Sequence, residues 1–153
     1  MVNYSPNEFE SVACDYLNDF FELRGKYEIV KYGRHGQKQD GIDLYTQNVK
    51  EGGSCIVAQC KRYYEKKLTV SIVKKDVELF FRSNLYDRLY ENFKNIKYVI
   101  VTTFYDSNIQ EALQDKWFKD TGMEFLFYSI EDFSHKNKSS CDLNILAAIF
   151  ERM

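Results

Sequence analysis

Three polar side chains sit in segments that otherwise read as apolar strands: Asp43 after Gly41-Ile42, and Gln59 and Lys61 within Cys55-Ile56-Val57-Ala58-Gln59-Cys60-Lys61. Side chains alternate faces along a strand, so Gln59 and Lys61, two apart, point the same way. The fifteen residues from 44 to 58 are enough for the chain to turn back on itself, which lets Asp43 meet them across an antiparallel pair. Glu10 comes from a helical stretch near the start of the chain. At about 100° per residue it falls on the arc of Phe9, Val12, Ala13, Tyr16, Leu17, Phe20 and Phe21. A carboxylate on a buried face needs a task. Two carboxylates and an amide oxygen are hard donors suited to magnesium or manganese, and Lys61 adds a cation beside them. Such an ion lowers the pKa of a bound water and neutralises charge on a phosphorane-like transition state, while a lysine orients the water or stabilises the developing charge. This is equipment for hydrolysing phosphodiesters. Gln59, standing where a carboxylate is commoner, leaves the site one negative charge poorer and weakens its grip on a metal.

The elements that must present these residues are marked by local signals. Ser5-Pro6-Asn7-Glu8 combines a capping serine, a proline suited to the first helical position and a glutamate that closes a capping box, and so predicts a helix to about Phe21. After Gly25, residues 27–32, 41–45 and 55–61 are strand-like, with Gly52-Gly53 as a hairpin turn before the last. Val70, Val73, Val77, Phe80, Phe81, Leu85 and Leu89 keep helical spacing to about residue 93, and residues 96–103 form a continuous apolar strand of the buried kind. A helix over 107–119 stops at Gly122, a strand follows over 123–128, and an amphipathic helix over 143–150 comes after the polar stretch 136–140. The order αβββαβαβα predicts an α/β fold, a mixed sheet flanked by helices.

The 153 residues suit one domain, and 44% hydrophobic with 29% charged residues provide both a core and a solvated surface. With 21 Lys and Arg against 23 Asp and Glu the net charge is -2, which excludes a polybasic protein gripping nucleic acid over its whole surface. Any nucleic-acid site has to be a local patch. One exists between residues 61 and 75, where Lys61, Arg62, Lys66, Lys67, Lys74 and Lys75 face only Glu65 in opposition, with Tyr63 and Tyr64 interleaved. Lys31, Arg34, His35 and Lys38 precede Asp43, so phosphate contacts are expected from both sides. No apolar run is long enough for a bilayer and the first residues lack the plan of a signal peptide, which predicts a cytoplasmic protein without membrane partners. Cys14, Cys55, Cys60 and Cys141 are scattered without a C-x-x-C pair, and are expected to be reduced, mostly buried thiols. With His35 and His135 as the only histidines, a structural zinc site is not expected.

Taken one at a time, Lys61 reads equally as an edge-strand lysine, Gln59 as a core amide and Asp43 as the end of a turn. Their joint order is what carries weight. Phe9-Glu10 in a first helix, then Gln39-Asp40-Gly41-Ile42-Asp43, then Gln59-Cys60-Lys61-Arg62-Tyr63, resembles the PD-(D/E)xK nuclease superfamily, in particular its Mrr-like restriction endonuclease branch, over roughly residues 5–105. That branch typically has Q-x-K as its third motif, so Gln59 is its usual variant; Ile42 stands where the superfamily's nominal proline would be. The resemblance implies a restriction-endonuclease-like fold and a magnesium- or manganese-dependent DNA endonuclease. Asp43, Gln59 and the backbone carbonyl of Cys60 would be metal ligands, Lys61 the catalytic lysine, Glu10 a further acidic ligand or water-orienting group, and Gln39 a loop contact to the site. It further implies a restriction or anti-phage effector and an associated or fused sensor or ATPase module, with this chain either whole or the nuclease piece of a longer protein; because cutting both strands needs two active sites, a homodimer or higher oligomer is expected. The rival readings are a nuclease-like module that grips DNA without cutting it, and a Holliday-junction resolvase on the same fold.

Overall fold

The computed structural model describes residues 4–25, 27–33, 40–46, 55–92 and 95–129. The first helix, α1 (Pro6–Phe20), begins as its signals predict: Ser5 Oγ accepts from the Glu8 N–H (3.2 Å) and Glu8 Oε1 accepts from the Ser5 N–H (3.1 Å). The strands β1 (Ile29–Lys31), β2 (Leu44–Thr46), β3 (Cys55–Lys61), β4 (Ile96–Thr102) and β5 (Glu124–Ser129) form one sheet in that order. The β1–β2 and β2–β3 pairs are antiparallel, and β3–β4 and β4–β5 are parallel. Parallel neighbours need a crossover, supplied by α2 (Val70–Phe81) and α3 (Asn84–Asn92), then by α4 (Ile109–Ala112) and α5 (Lys116–Lys119). The fold is thus α/β, a mixed sheet flanked by helices.

Alternation along the strands divides the apolar residues between two cores. Cys55, Val57, Tyr98 and Ile100 pack against Val73, Val77 and Phe80 of α2, with Leu85, Leu89, Ile109, Leu113 and Phe118 from the following helices. Ile56, Ala58, Val99 and Val101 face the other way, against Phe9, Ala13 and Leu17 of α1. Asn18 ties α1 to the end of the sheet, its Oδ1 accepting from the Ile29 N–H (2.7 Å) and its Nδ2 donating to the Ile29 carbonyl (3.0 Å). Burial pushes the Cys55 thiol up to about 12 and raises those of Cys14 and Cys60, and all three are free.

Two predicted helices are broken. The long one over 70–93 stops at Arg82 and restarts at Asn84, because Ser83 Oγ donates to the Phe80 carbonyl (2.6 Å) and accepts from the Tyr86 N–H (3.1 Å), closing one helix and opening the next. The helix over 107–119 is divided by Asp115, whose extended backbone (φ -69°, ψ 158°) caps α5. The second strand starts at Leu44, so Asp43 lies at its entrance. The Gly52-Gly53 turn and the helix over 143–150 lie outside the described residues. Among the described residues no helix is long and apolar enough to cross a membrane.

Candidate active site

Asp43 stands just before β2 with its backbone already in the ladder: its N–H donates to the Ala58 carbonyl (2.8 Å) and its carbonyl accepts from the Tyr32 N–H (2.7 Å). Its carboxylate is pinned as well, Oδ2 accepting from the Cys60 N–H at 2.8 Å, so the aspartate is fixed against the middle of the Gln59-Cys60-Lys61 motif. The side chain is only 5% exposed. Burial pushes its pKa from 3.8 up to about 6; the Cys60 N–H opposes this, the charge of Glu10 adds to it, Lys61 opposes it and Asp76 adds to it. Those influences define one electrostatic cluster drawn from α1, the β2 entrance, β3 and α2.

Gln59 and Lys61 lie on the α2 side of β3, in step with Cys55 and Val57. Gln59 Oε1 is buried and, among the described residues, has no hydrogen-bond partner. The end of β3 is held by β4: Thr102 Oγ1 donates to the Lys61 carbonyl (2.8 Å), and Thr103 Oγ1 accepts from the Tyr63 N–H (2.8 Å) while donating to the Tyr63 carbonyl. Glu10 is half-buried on α1, across the sheet, and acts on Asp43 and Cys60 through its charge.

Sequence reasoning passed over Asp76, 8% exposed on α2, whose Oδ2 lies 3.1 Å from Lys61 Nζ. The contact is an ion pair, and among the described residues this oxygen has no further partner. Gln59, Lys61, Leu68, Val73, Asp76, Tyr98 and Ile100 line a crevice closed to a water-sized sphere. The signal was present as a carboxylate on the Val73, Val77 and Phe80 stripe of a helix. Gly41 brings that helix in. A Cβ there would lie 2.0 Å from the Asp76 carbonyl oxygen and 2.9 Å from the Phe80 nitrogen, its φ is +76°, and its own carbonyl accepts from the Tyr98 hydroxyl at 2.6 Å.

The basic residues are spread more widely. The Arg62 guanidinium lies over the Tyr64 ring (5.2 Å) and the Lys66 ammonium over the Tyr63 ring (4.6 Å), around an open hollow of about 610 Å³ directly after Lys61. Lys67 and Lys75 are exposed, and Lys74 sits over the Trp117 ring (5.4 Å) beside α5. Gln39, Lys38, His35 and Arg34 lie outside the described residues.

Among the described residues no three His, Cys, Asp or Glu side chains could hold an ion by themselves, so a metal here must draw on other oxygens. The unpartnered Gln59 Oε1 and the Asp43 carboxylate, which is anchored on the next residue of β3, fit that need: both are hard oxygen donors of the kind magnesium and manganese take.

The restriction endonuclease family matches residues 15–140, a span that holds Asp43, Gln59, Lys61 and Asp76 and begins after Glu10. Among curated proteins none matches the chain. A match over that much of the sequence agrees with a mixed sheet that sets the aspartate against Gln-x-Lys on the neighbouring strand, and the chain belongs to the Mrr-like restriction endonucleases of the PD-(D/E)xK nuclease superfamily.

Proposed function

We propose that this chain is a single nuclease domain that hydrolyses DNA phosphodiesters with magnesium or manganese, as a restriction or anti-phage effector in the cytoplasm. The observation that carries the reading is the buried Asp43 carboxylate, held by the Cys60 N–H in the middle of the Gln59-Cys60-Lys61 motif. Asp43, Gln59 and the Cys60 carbonyl would hold the ion, with Glu10 as a further acidic ligand or water-orienting group. When bound, the ion supplies a water of lowered pKa and positive charge toward the phosphate.

The chain's own residues do the rest. Lys61 presents its ammonium to the attacking water or to a non-bridging phosphate oxygen, where negative charge grows in the transition state. The rigid anchoring of Asp43 and of the Lys61 backbone keeps both groups in place while the reaction proceeds, so little reorganisation is needed. Arg62, Lys66, Lys67, Lys74 and Lys75, with Gln39, Lys38 and His35, would contact the phosphates that flank the scissile bond. Cutting both strands takes two such sites, so the proposed active form is a homodimer or higher oligomer, in association with a sensor or ATPase module.

The test is incubation of the purified protein with supercoiled plasmid and magnesium or manganese. Nicked and linear products should form, and should disappear with EDTA and with Asp43→Ala or Lys61→Ala, by about a thousandfold or more in rate. Undiminished cutting by both variants would sink this assignment. Retardation of DNA without any cutting would turn the reading to a binding module.

A further inference from the structure

Asp76 is a carboxylate in a place where an apolar residue would cost less. It follows Val73 by three positions and precedes Phe80 by four, on the stripe of α2 that faces the core. It is 8% exposed, and a carboxylate that deep is retained only with a counter-charge. The counter-charge is Lys61, with Nζ at 3.1 Å and the two side chains 22% and 12% exposed.

Without that partner the lysine would have an easier course. Its stem leaves β3 at the strand's last residue, next to the open hollow, and a long flexible side chain there tends to carry its ammonium out to water. The ion pair turns it inward, into the crevice it shares with Gln59. Gly41 makes the arrangement rigid, because the backbone of the turn that delivers Asp43 rests directly on the Asp76 carbonyl. One contact therefore sets the aspartate and the lysine's partner in a common frame.

We propose that Asp76 is a positioning residue, which holds the Lys61 ammonium over the Asp43–Gln59 site and acts on the reaction chiefly through Lys61. The proposal rests on the nuclease reading given above. It assigns Asp76 neither to the metal-binding groups nor to the DNA-contacting loop, since the partner of its carboxylate is the Lys61 ammonium.

The test compares Asp76→Asn, which keeps the shape and removes the charge, with Asp76→Leu, which suits the surrounding apolar stripe and should fold at least as well. Single-turnover cleavage of duplex DNA is expected to slow by about 10- to 100-fold in both, the scale of a misplaced catalytic group. The affinity for the duplex measured with calcium, and the magnesium concentration giving half the maximal rate, should stay as in the wild type. Adding either substitution to Lys61→Ala should produce no further loss. Independently of any metal, the Lys61 ammonium should give a protected ¹H–¹⁵N signal in the wild type that disappears in Asp76→Asn. An unchanged rate, a shifted magnesium requirement, additive losses with Lys61→Ala, or an unaltered ammonium signal would each overturn the role. A wild type that cuts nothing would overturn the nuclease reading and the role with it, whereas a cutting wild type beside an unimpaired Asp76→Asn overturns the role alone.

Discussion

Asp43 shows how a reactive group is bought with stability. Its folded-state pKa, about 6, lies above its ordinary 3.8, so the folded chain binds that proton more tightly than the unfolded chain does. The stabilising contribution is therefore complete below the ordinary value and is lost as pH rises through about 6. Near neutral pH without metal, the ionised carboxylate works against the fold by about 2–3 kcal/mol, on the scale of 1.36 kcal/mol per pK unit. Asp43→Asn, whose amide oxygen still accepts from the Cys60 N–H, should melt higher than the wild type in EDTA at neutral pH. It should also lose the acid-to-neutral decline in melting temperature. Magnesium should stabilise the wild type and leave Asp43→Asn unchanged, since an ion that binds only the folded chain shifts the equilibrium by mass action. Melts at a series of pH values, with and without the ion, check the sign; a variant that melts lower throughout would refute it.

At the scale of elements, three side chains and one missing side chain join segments that lie far apart in the chain. The Asn18 amide satisfies both the N–H and the carbonyl of Ile29, clasping α1 to β1. Asn18→Ala leaves the buried Ile29 N–H without that acceptor and its carbonyl with only the weak Cys14 thiol donor (3.2 Å), and should cost about 1–3 kcal/mol in urea unfolding, with the slope of the transition unchanged. Asp76 and Lys61 link α2 to β3 in the same way. Gly41 permits α2 to touch the turn ahead of β2, and the positive φ and the 2.0 Å approach of any Cβ both forbid a side chain there. Gly41→Ala should destabilise by at least about 2 kcal/mol. Because the displaced helix carries Asp76 away from Lys61, cleavage measured well below the melting transition should also fall. A folded Gly41→Ala with full activity would mean that the close approach is dispensable.

The whole molecule is slightly acidic, at -2, so any hold on DNA has to come from where its cations are placed. The loop after β3 places Arg62 and Lys66 around the hollow next to Lys61, followed by the exposed Lys67. Replacing Lys66 and Lys67 with alanine should weaken binding to all duplex sequences alike. For every phosphate that the altered loop no longer neutralises, the slope of log affinity against log salt should become shallower by about 0.9. Filter binding over a salt series reads this directly, and an unchanged slope would take the loop out of the DNA path. On α2 and α3, Phe80 is fully buried, while Leu79, Phe81 and Tyr90 are exposed.

Much of the scaffold was legible without coordinates because it depends on backbone groups a few residues apart. The capping box at Ser5 and Glu8, the alternation that puts Gln59 and Lys61 on one face, and the apolar arcs of α1 and α2 are all local consequences of residue type and period. The break at Ser83 was not legible, since the apolar spacing runs through it and only a single hydroxyl turns the chain. Asp76 and Asn18 were passed over for a related reason: a polar residue on a helix is ordinarily solvated, and whether it is buried depends on which distant strand arrives against it. Sequence alone determined which groups were available and which faces they shared. Tertiary structure decided which carboxylate meets Lys61, how deeply Asp43 is buried and hence how tightly it holds its proton, because partners and dielectric are set by segments brought together from across the chain.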